Sequence, residues 1–199
     1  MKVIKQYNLE FINGKDMKIL YNTNSSDINN ETINLLNSLK LTEKLWYYNN
    51  NLYKILHYDK SFLTNDMVNT IGIFRSLLID NKNKIISFSP PKSLKYDLFK
   101  SQNDNIKEVN VEEYVEGTMI NLFWNNIEWE ISTKNTIGGK IIFFQNEDKQ
   151  LTFRNMFNEI CNYVGLDYEN LNKEYCYSFV MQHPKNRIVI PFFDMKLYW

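Results

Sequence analysis

The chain has 199 residues, with 23 Lys and Arg against 23 Asp and Glu, so its formal net charge is zero. A chain of this length hides roughly 70% of the surface it exposes when unfolded, enough for a genuine core in one domain; balanced charge excludes a global positive field and leaves any nucleic-acid binding to a local patch. No apolar run approaches the ~20 residues that span a bilayer, and the Met1-Lys2-Val3-Ile4-Lys5 start lacks the apolar core of a signal peptide, so the expectation is a cytoplasmic, intracellular protein that is not secreted and meets no membrane.

The first stretch, to about residue 65, is rich in Asn and Tyr. Ser25-Ser26-Asp27 ahead of Ile28, Ile33, Leu35, Leu36 and Leu39 is a polar N-cap followed by an apolar face. It predicts a short helix within an N-terminal extension, residues 1–65, packed on a core formed by residues 66–199. Strand signals take over from Ile71. Residues 73–79, the Asp80-Asn81-Lys82-Asn83 turn and residues 84–88 predict a hairpin. Pro90-Pro91 ends it, because neither residue can donate to a sheet ladder, and the polar stretch 101–108 reads as a loop. A second hairpin is predicted from residues 118–124 and 127–133 across Asn125-Asn126, a pair able to take the positive φ of a tight primed turn. Its second strand alternates apolar and polar, so one face is wet.

After Gly138-Gly139 a strand is expected at 140–144. Phe153, Met156, Phe157, Ile160 and Val164 then recur at helical spacing, behind the candidate cap Thr152 and ahead of Gly165, as the core-facing stripe of a helix. Closing strands are expected at 175–182 and 187–192. Cys161 and Cys176 have no second Cys or His at metal-ligand spacing and read as buried free thiols. Together these elements predict an α+β fold of antiparallel β-sheets with flanking helices.

Five segments, in order, resemble those of phage-type RNA ligases, which are covalent nucleotidyltransferases. Phe74-Arg75-Ser76 stands ahead of a strand as that family's Phe/Cys-Arg-Gly does, and Pro90-Pro91-Lys92-Ser93 is similar to its Pro-Lys-Phe-Phe turn. Glu113-Tyr114-Val115-Glu116-Gly117-Thr118 sits where the family carries Lys-x-Asp-Gly, and Ser132-Thr133-Lys134-Asn135-Thr136-Ile137 is similar to its Ser-Lys-Gly-Ser-Ile strand end. Phe179 to Arg187, with Pro184-Lys185-Asn186-Arg187-Ile188-Val189 and then Asp194-Met195-Lys196-Leu197, resembles its Phe-Glu, Pro-x-Asn-Arg-Ile-Val and Glu-Met-Lys run. The likeness covers about residues 71–199.

This resemblance implies the adenylation-domain fold of RNA ligases and an ATP-dependent, Mg2+- or Mn2+-assisted adenylyl transfer that seals RNA ends. It implies that Arg75 and Lys92 face nucleotide phosphates, that Glu116 replaces the motif aspartate beside Gly117, that Lys134 lines the pocket, and that Asn186 and Arg187 belong to the nucleotide-binding corner. Tyr114 stands at the nucleophile position, Val180 stands where the family has a glutamate, and the chain ends at Trp199, before the family's final pair of pocket lysines. Lys92 is therefore the first candidate nucleophile and Lys134 the second, neither at the family's own position.

The alternative is a nucleotide- or RNA-binding module that keeps the fold without the reaction, in which Arg75, Lys92, Lys134 and Arg187 still bind an anion. A third reading is a fragment of a longer polypeptide that completes the site. His57 and His183 belong to no Ser, Cys or Asp constellation and are expected to be structural. Trp124 and Trp129, with Tyr47, Tyr48 and Tyr53, either stack bases or fill the core.

Overall fold

The computed structural model describes residues 37–65, 67–68, 71–82, 84–102, 111–141, 151–187 and 189–199. Two antiparallel four-stranded sheets share one apolar layer. The first has the order β1 (Leu41–Tyr48), β2 (Asn51–Tyr58), β3 (Leu77–Ile79), β4 (Ile85–Ser87). Asn49 and Asn50 join β1 to β2 with φ of 47° and 60°, the two positive values a primed turn requires, which sets Tyr48 opposite Asn51. The extension expected to pack on the core thus contributes β1 and β2 to the same sheet as β3 and β4, through Lys54 to Leu56 of β2 paired with β3.

The strand expected at 73–79 is shorter. Ile71–Ile73 is a buried 3-10 turn, so only Leu77–Ile79 joins the ladder. Asp80 Oδ1 accepts from the amides of Lys82 and Lys84, each at 2.8 Å, and holds the turn to β4, which ends before Pro90 as the prolines require. Helix α1 (Tyr96–Gln102) follows; the loop expected at 101–108 lies, from 103 onward, outside the described residues. So do the N-terminal helix expected after Ser25, as far as residue 36, and the strand expected at 140–144 from 142 onward.

The second sheet has the order β6 (Trp129–Ser132), β5 (Thr118–Trp124), β7 (Tyr177–Gln182), β8 (Lys196–Tyr198). The β5–β6 connection is a four-residue loop in place of the two-residue turn expected. Asn125 Oδ1 accepts from the amides of Ile127 and Glu128 at 2.9 and 2.8 Å, only Asn126 takes a positive φ, and Trp124 pairs with Trp129. The closing strand expected at 187–192 is also corrected, since the partner of β7 is β8. Pro191 has no N–H for a ladder, and Val189 and Ile190 are 71% and 49% exposed instead of alternating into a core.

Helix α2 (Phe153–Val164) buries Phe153, Met156, Phe157 and Ile160 of the expected stripe, whereas Val164 in its last turn is 46% exposed. The hydroxyl of Thr152 accepts from Asn155 N at 3.2 Å and Gly165 closes the helix at φ 71°. Its buried Phe153, Met156, Phe157, Ile160 and Cys161 pack with Ile120, Leu122, Ile131, Phe179 and Met181 of the second sheet. Tyr53, Ile55 and Leu78 of the first sheet meet Phe123 and Ile137 in the layer between sheets, and Leu41, Leu56, Leu77 and Ile79 cover the other face of the first sheet with Ile71, Ile73 and Phe74. Cys161 and Cys176 are free cysteines; burial pushes the Cys161 thiol up to about 11 and raises that of Cys176. No helix among the described residues is long and apolar enough to cross a membrane. The alternation of β5 matters most for the site: Ile120 and Leu122 face α2, so Asn121 and Phe123 face the first sheet.

Candidate functional site

Phe74 is anchored in the core and its carbonyl accepts from Tyr58 N at 2.8 Å, which fixes the segment that presents Arg75 just before β3. The carbonyl of Arg75 lies 3.2 Å from His57 Nδ1. The neighbouring Ser76 hydroxyl donates to the carbonyls of Thr133 and Lys134 at 3.4 and 3.2 Å, tying the start of β3 to the turn that follows β6. That turn is held by Thr133 N to Thr136 O at 2.9 Å and by the two threonine hydroxyls at 2.9 Å. Lys44, from β1, donates to the carbonyl of Asn135 at 3.2 Å.

Lys44 is thus held beside the turn that carries Lys134, and the segment bearing Arg75 is tied to that turn through Ser76. Loss of hydration lowers the pKa of the Lys134 amine, and the charges of Lys60 and Arg75 lower it further. Both charges acting on Lys134 are positive. The ion pairs among the described residues join Arg154 to Glu130 and His183 to Glu159, and none of these four cations takes part. Like charges brought together without a carboxylate repel, and a bound anion relieves that repulsion. Lys92 lies against the Ile71–Ile73 turn, just ahead of Arg75: its amide donates to Gly72 O at 3.0 Å, and its Cβ is 3.3 Å from the place a Gly72 Cβ would occupy.

Glu116, Gly117 and Asn186 form a second group at the N-terminal end of β5, on its β7 side. Asn186 is 1% exposed, donates from its side chain to the Thr118 hydroxyl at 2.8 Å and from its amide to His183 O at 2.8 Å, which makes it the peg of the β7 exit turn. The Glu116 carbonyl accepts from Gln182 Nε2 at 2.7 Å and its carboxylate accepts from Ile190 N at 3.4 Å. Arg187 follows on the exposed side of the turn. A Cβ on Gly117, at φ 155°, would stand 2.6 Å from the carbonyl oxygen of Met181 and 2.7 Å from Val180 Cγ1. Gly117→Ala is expected to lower stability by about 1–3 kcal/mol through overpacking and strain, measured by denaturant unfolding; an unchanged midpoint would mean that β5 and β7 can part without cost.

Both groups flank one face of the second sheet. Asn121 pairs with Ser132 on one side and Ser178 on the other. Its side chain accepts from the Ser178 hydroxyl at 2.8 Å and donates to the Ser89 hydroxyl at 3.0 Å, close in sequence to Lys92. Val180 shares that face with Ser178, since Tyr177, Phe179 and Met181 turn into the α2 core. It offers no donor atom, and Glu116 supplies one carboxylate. Among the described residues no group of three or more His, Cys, Asp or Glu could hold a metal ion.

His183 is structural as expected, with Nε2 3.2 Å from Glu159 and Nδ1 accepting from Lys185 N at 3.1 Å. Burial lowers the pKa of His57; the hydrogen bond to Arg75 opposes this, and Lys134 and Lys44 add to the lowering. The unfolded chain then binds more protons on His57 than the native state does. Stability is accordingly expected to be full above pH ~6.5 and to fall as pH drops from there toward the lowered native value, an effect that His57→Asn should reduce in a comparison of melting temperatures; an identical pH slope in the variant would contradict it. Tyr53 and Trp129 are buried in the core, whereas Tyr47 is exposed. Sequence reasoning passed over Lys44 and Lys60, and took Ser76 only as part of the Phe74-Arg75-Ser76 segment. The usable signal for Lys44 was its place in a strand beside Asn49-Asn50.

Compared with known proteins, the chain matches no protein-family model and no curated relative.

Proposed function

We propose that this chain is a nucleotide-phosphate-binding module related in design to the adenylation domains of RNA ligases. In this reading Lys60, Arg75 and Lys134, with Lys92 alongside, hold the phosphates of ATP or of an RNA end. The observation that carries it is the tie between the Arg75–Ser76 segment and the turn that bears Lys134, with the charges of Lys60 and Arg75 acting on the Lys134 amine; the resemblance places Arg75 at phosphates and Lys134 in the pocket lining. Arginine supplies a planar fork of donors and lysine a point charge, a pairing suited to phosphate oxygens. Removing one such charge-assisted contact should weaken ATP binding about tenfold to hundredfold. Arg75→Ala and Lys134→Ala are each expected to do so in a calorimetric titration while leaving the melting temperature nearly unchanged. A loss of stability with unchanged binding would sink the assignment.

A second reading is favoured by the setting of Lys134, on a turn tied to the Arg75 segment through Ser76, where loss of hydration and the charges of Lys60 and Arg75 favour the neutral amine, the attacking form. Lys134 Nζ would attack the α-phosphorus of ATP, forming a P–N bond as the bond to pyrophosphate breaks and the amine gives up a proton. Incubation with α-labelled ATP separates the readings. An adduct that survives denaturation and disappears in Lys134→Ala supports transfer, an adduct lost only in Lys92→Ala moves the nucleophile to Lys92, and binding without adduct supports the module.

A further inference from the structure

We infer that the chain pairs with a second copy of itself through the surface made by the loop between β7 and β8 and the segment that leads into β5. The pairing does not depend on the phosphate-binding reading and uses none of its residues. The loop is pinned from within, because the Asn186 side chain donates to the Thr118 hydroxyl at 2.8 Å and Phe192 is buried. These pegs leave Val189, Ile190 and Phe193 outside, the last of them 87% exposed. The Ile190 amide donates to the Glu116 carboxylate at 3.4 Å, and Gln182 Nε2 donates to the Glu116 carbonyl at 2.7 Å. Those two bonds set the loop beside the segment entering β5, on which Val111 is exposed and Tyr114 is 93% exposed. Apolar side chains exposed singly are ordinary. Five on two adjoining segments make the kind of surface that meets a partner.

The charges on the same surface select the occupant. Glu112 and Glu113 are exposed on the segment, and Lys185 and Arg187 on the loop. None of the four takes part in an ion pair among the described residues. A nucleic acid or an anionic lipid surface would meet Glu112 and Glu113, and a basic partner would meet Lys185 and Arg187, each a repulsive contact. A second copy related by a two-fold axis satisfies both signs. It sets the segment of each copy against the loop of the other, apolar against apolar, with the two glutamates facing the lysine and the arginine twice over. The zero net charge of the chain leaves no long-range repulsion to oppose the approach.

The test follows the mass of the full chain by sedimentation velocity from low concentration to about 100 μM, where a micromolar Kd gives mostly dimer. The wild type should shift from monomer to twice the monomer mass and go no further. Phe193→Ser should weaken the association about tenfold or more. Two charge-reversed variants then examine the pairing of segment with loop. Glu112→Lys with Glu113→Lys makes both surfaces positive, and Lys185→Glu with Arg187→Glu makes both negative, so each variant alone should stay monomeric. Mixed in equal amounts they are complementary at both contacts, and a heterodimer should form. All five substituted side chains are exposed, so the variants should keep the wild-type circular dichroism, and the wild-type masses decide alone for any that does not. The pairing is overturned if the wild type stays monomeric throughout, if it grows into open-ended species, if Phe193→Ser or both reversals leave the dimer unchanged, or if the mixed variants fail to associate.

Discussion

Phe157→Ala is expected to cost about 3–5 kcal/mol of stability, read as a lowered denaturant midpoint with a native fold at low denaturant. The ring is 0% exposed and sits in the centre of the layer between α2 and the second sheet. It tilts against Phe179 of β7 at a centroid distance of 5.7 Å and stacks near Tyr168 at 6.2 Å. Truncation removes the burial of a whole aromatic ring and the two ring contacts. Well-packed strands on one side and a single helix on the other leave little freedom for collapse into the space. A midpoint within a few tenths of the wild type would show that α2 is not anchored to the sheet through this stripe.

The second large effect is expected from Arg154→Ala, at about 3–5 kcal/mol. Arg154 pairs with the carboxylate of Glu130, which is buried on β6, and its Nε donates to Gly138 O at 2.7 Å. The Tyr48 hydroxyl gives the same carboxylate a further bond at 3.3 Å. Burial raises the Glu130 pKa, and Arg154 is the main force acting against it. Without the guanidinium, the native carboxyl titrates still higher than in the unfolded chain. Its folded pKa being raised, the native state binds the extra proton, so stability holds below the unfolded value near 4.5 and is lost as pH rises above it. The variant should therefore be most destabilised near neutral pH and recover on mild acidification. A cost that is equal at pH 7 and pH 5 would mean that the carboxylate finds water once Arg154 is gone. The pair also has a functional reach, because Gly138 closes the 133–138 turn on Ile131 at 2.7 Å, and that turn carries Lys134.

The elements legible in the sequence were those whose signals agree. Thr152, the 153–164 stripe and Gly165 name one helix three times over, and residues 118–124 carry an unbroken β-rich run. The β1–β2 hairpin was not read because its Asn49-Asn50 turn looked like part of an Asn-rich stretch. The 187–192 segment was read as a strand because Ile188, Val189 and Ile190 have strand propensity, but propensity does not bury Val189 and Ile190.

For the site, local motifs gave Arg75, Lys92 and Lys134; the structure ties the Arg75–Ser76 segment to the Lys134 turn and sets Lys92 against the Ile71–Ile73 turn. Asn186 and Gly117 are held in place by packing, the first as a turn peg and the second as a point of close strand approach. Lys44 and Lys60 reach the site only through the pairing of β1 and β2, which no single segment displays. His57 was read as structural from its isolation in sequence, and its Nδ1 does meet the backbone carbonyl of Arg75.

The most direct test of the cation cluster is a calorimetric titration of the purified chain with ATP at two salt concentrations, using Arg75→Ala and Lys134→Ala as controls. Saturable binding that weakens with added salt and weakens again in both variants is the predicted result. Absence of binding in the wild type at low salt, or binding indifferent to both substitutions, would contradict it.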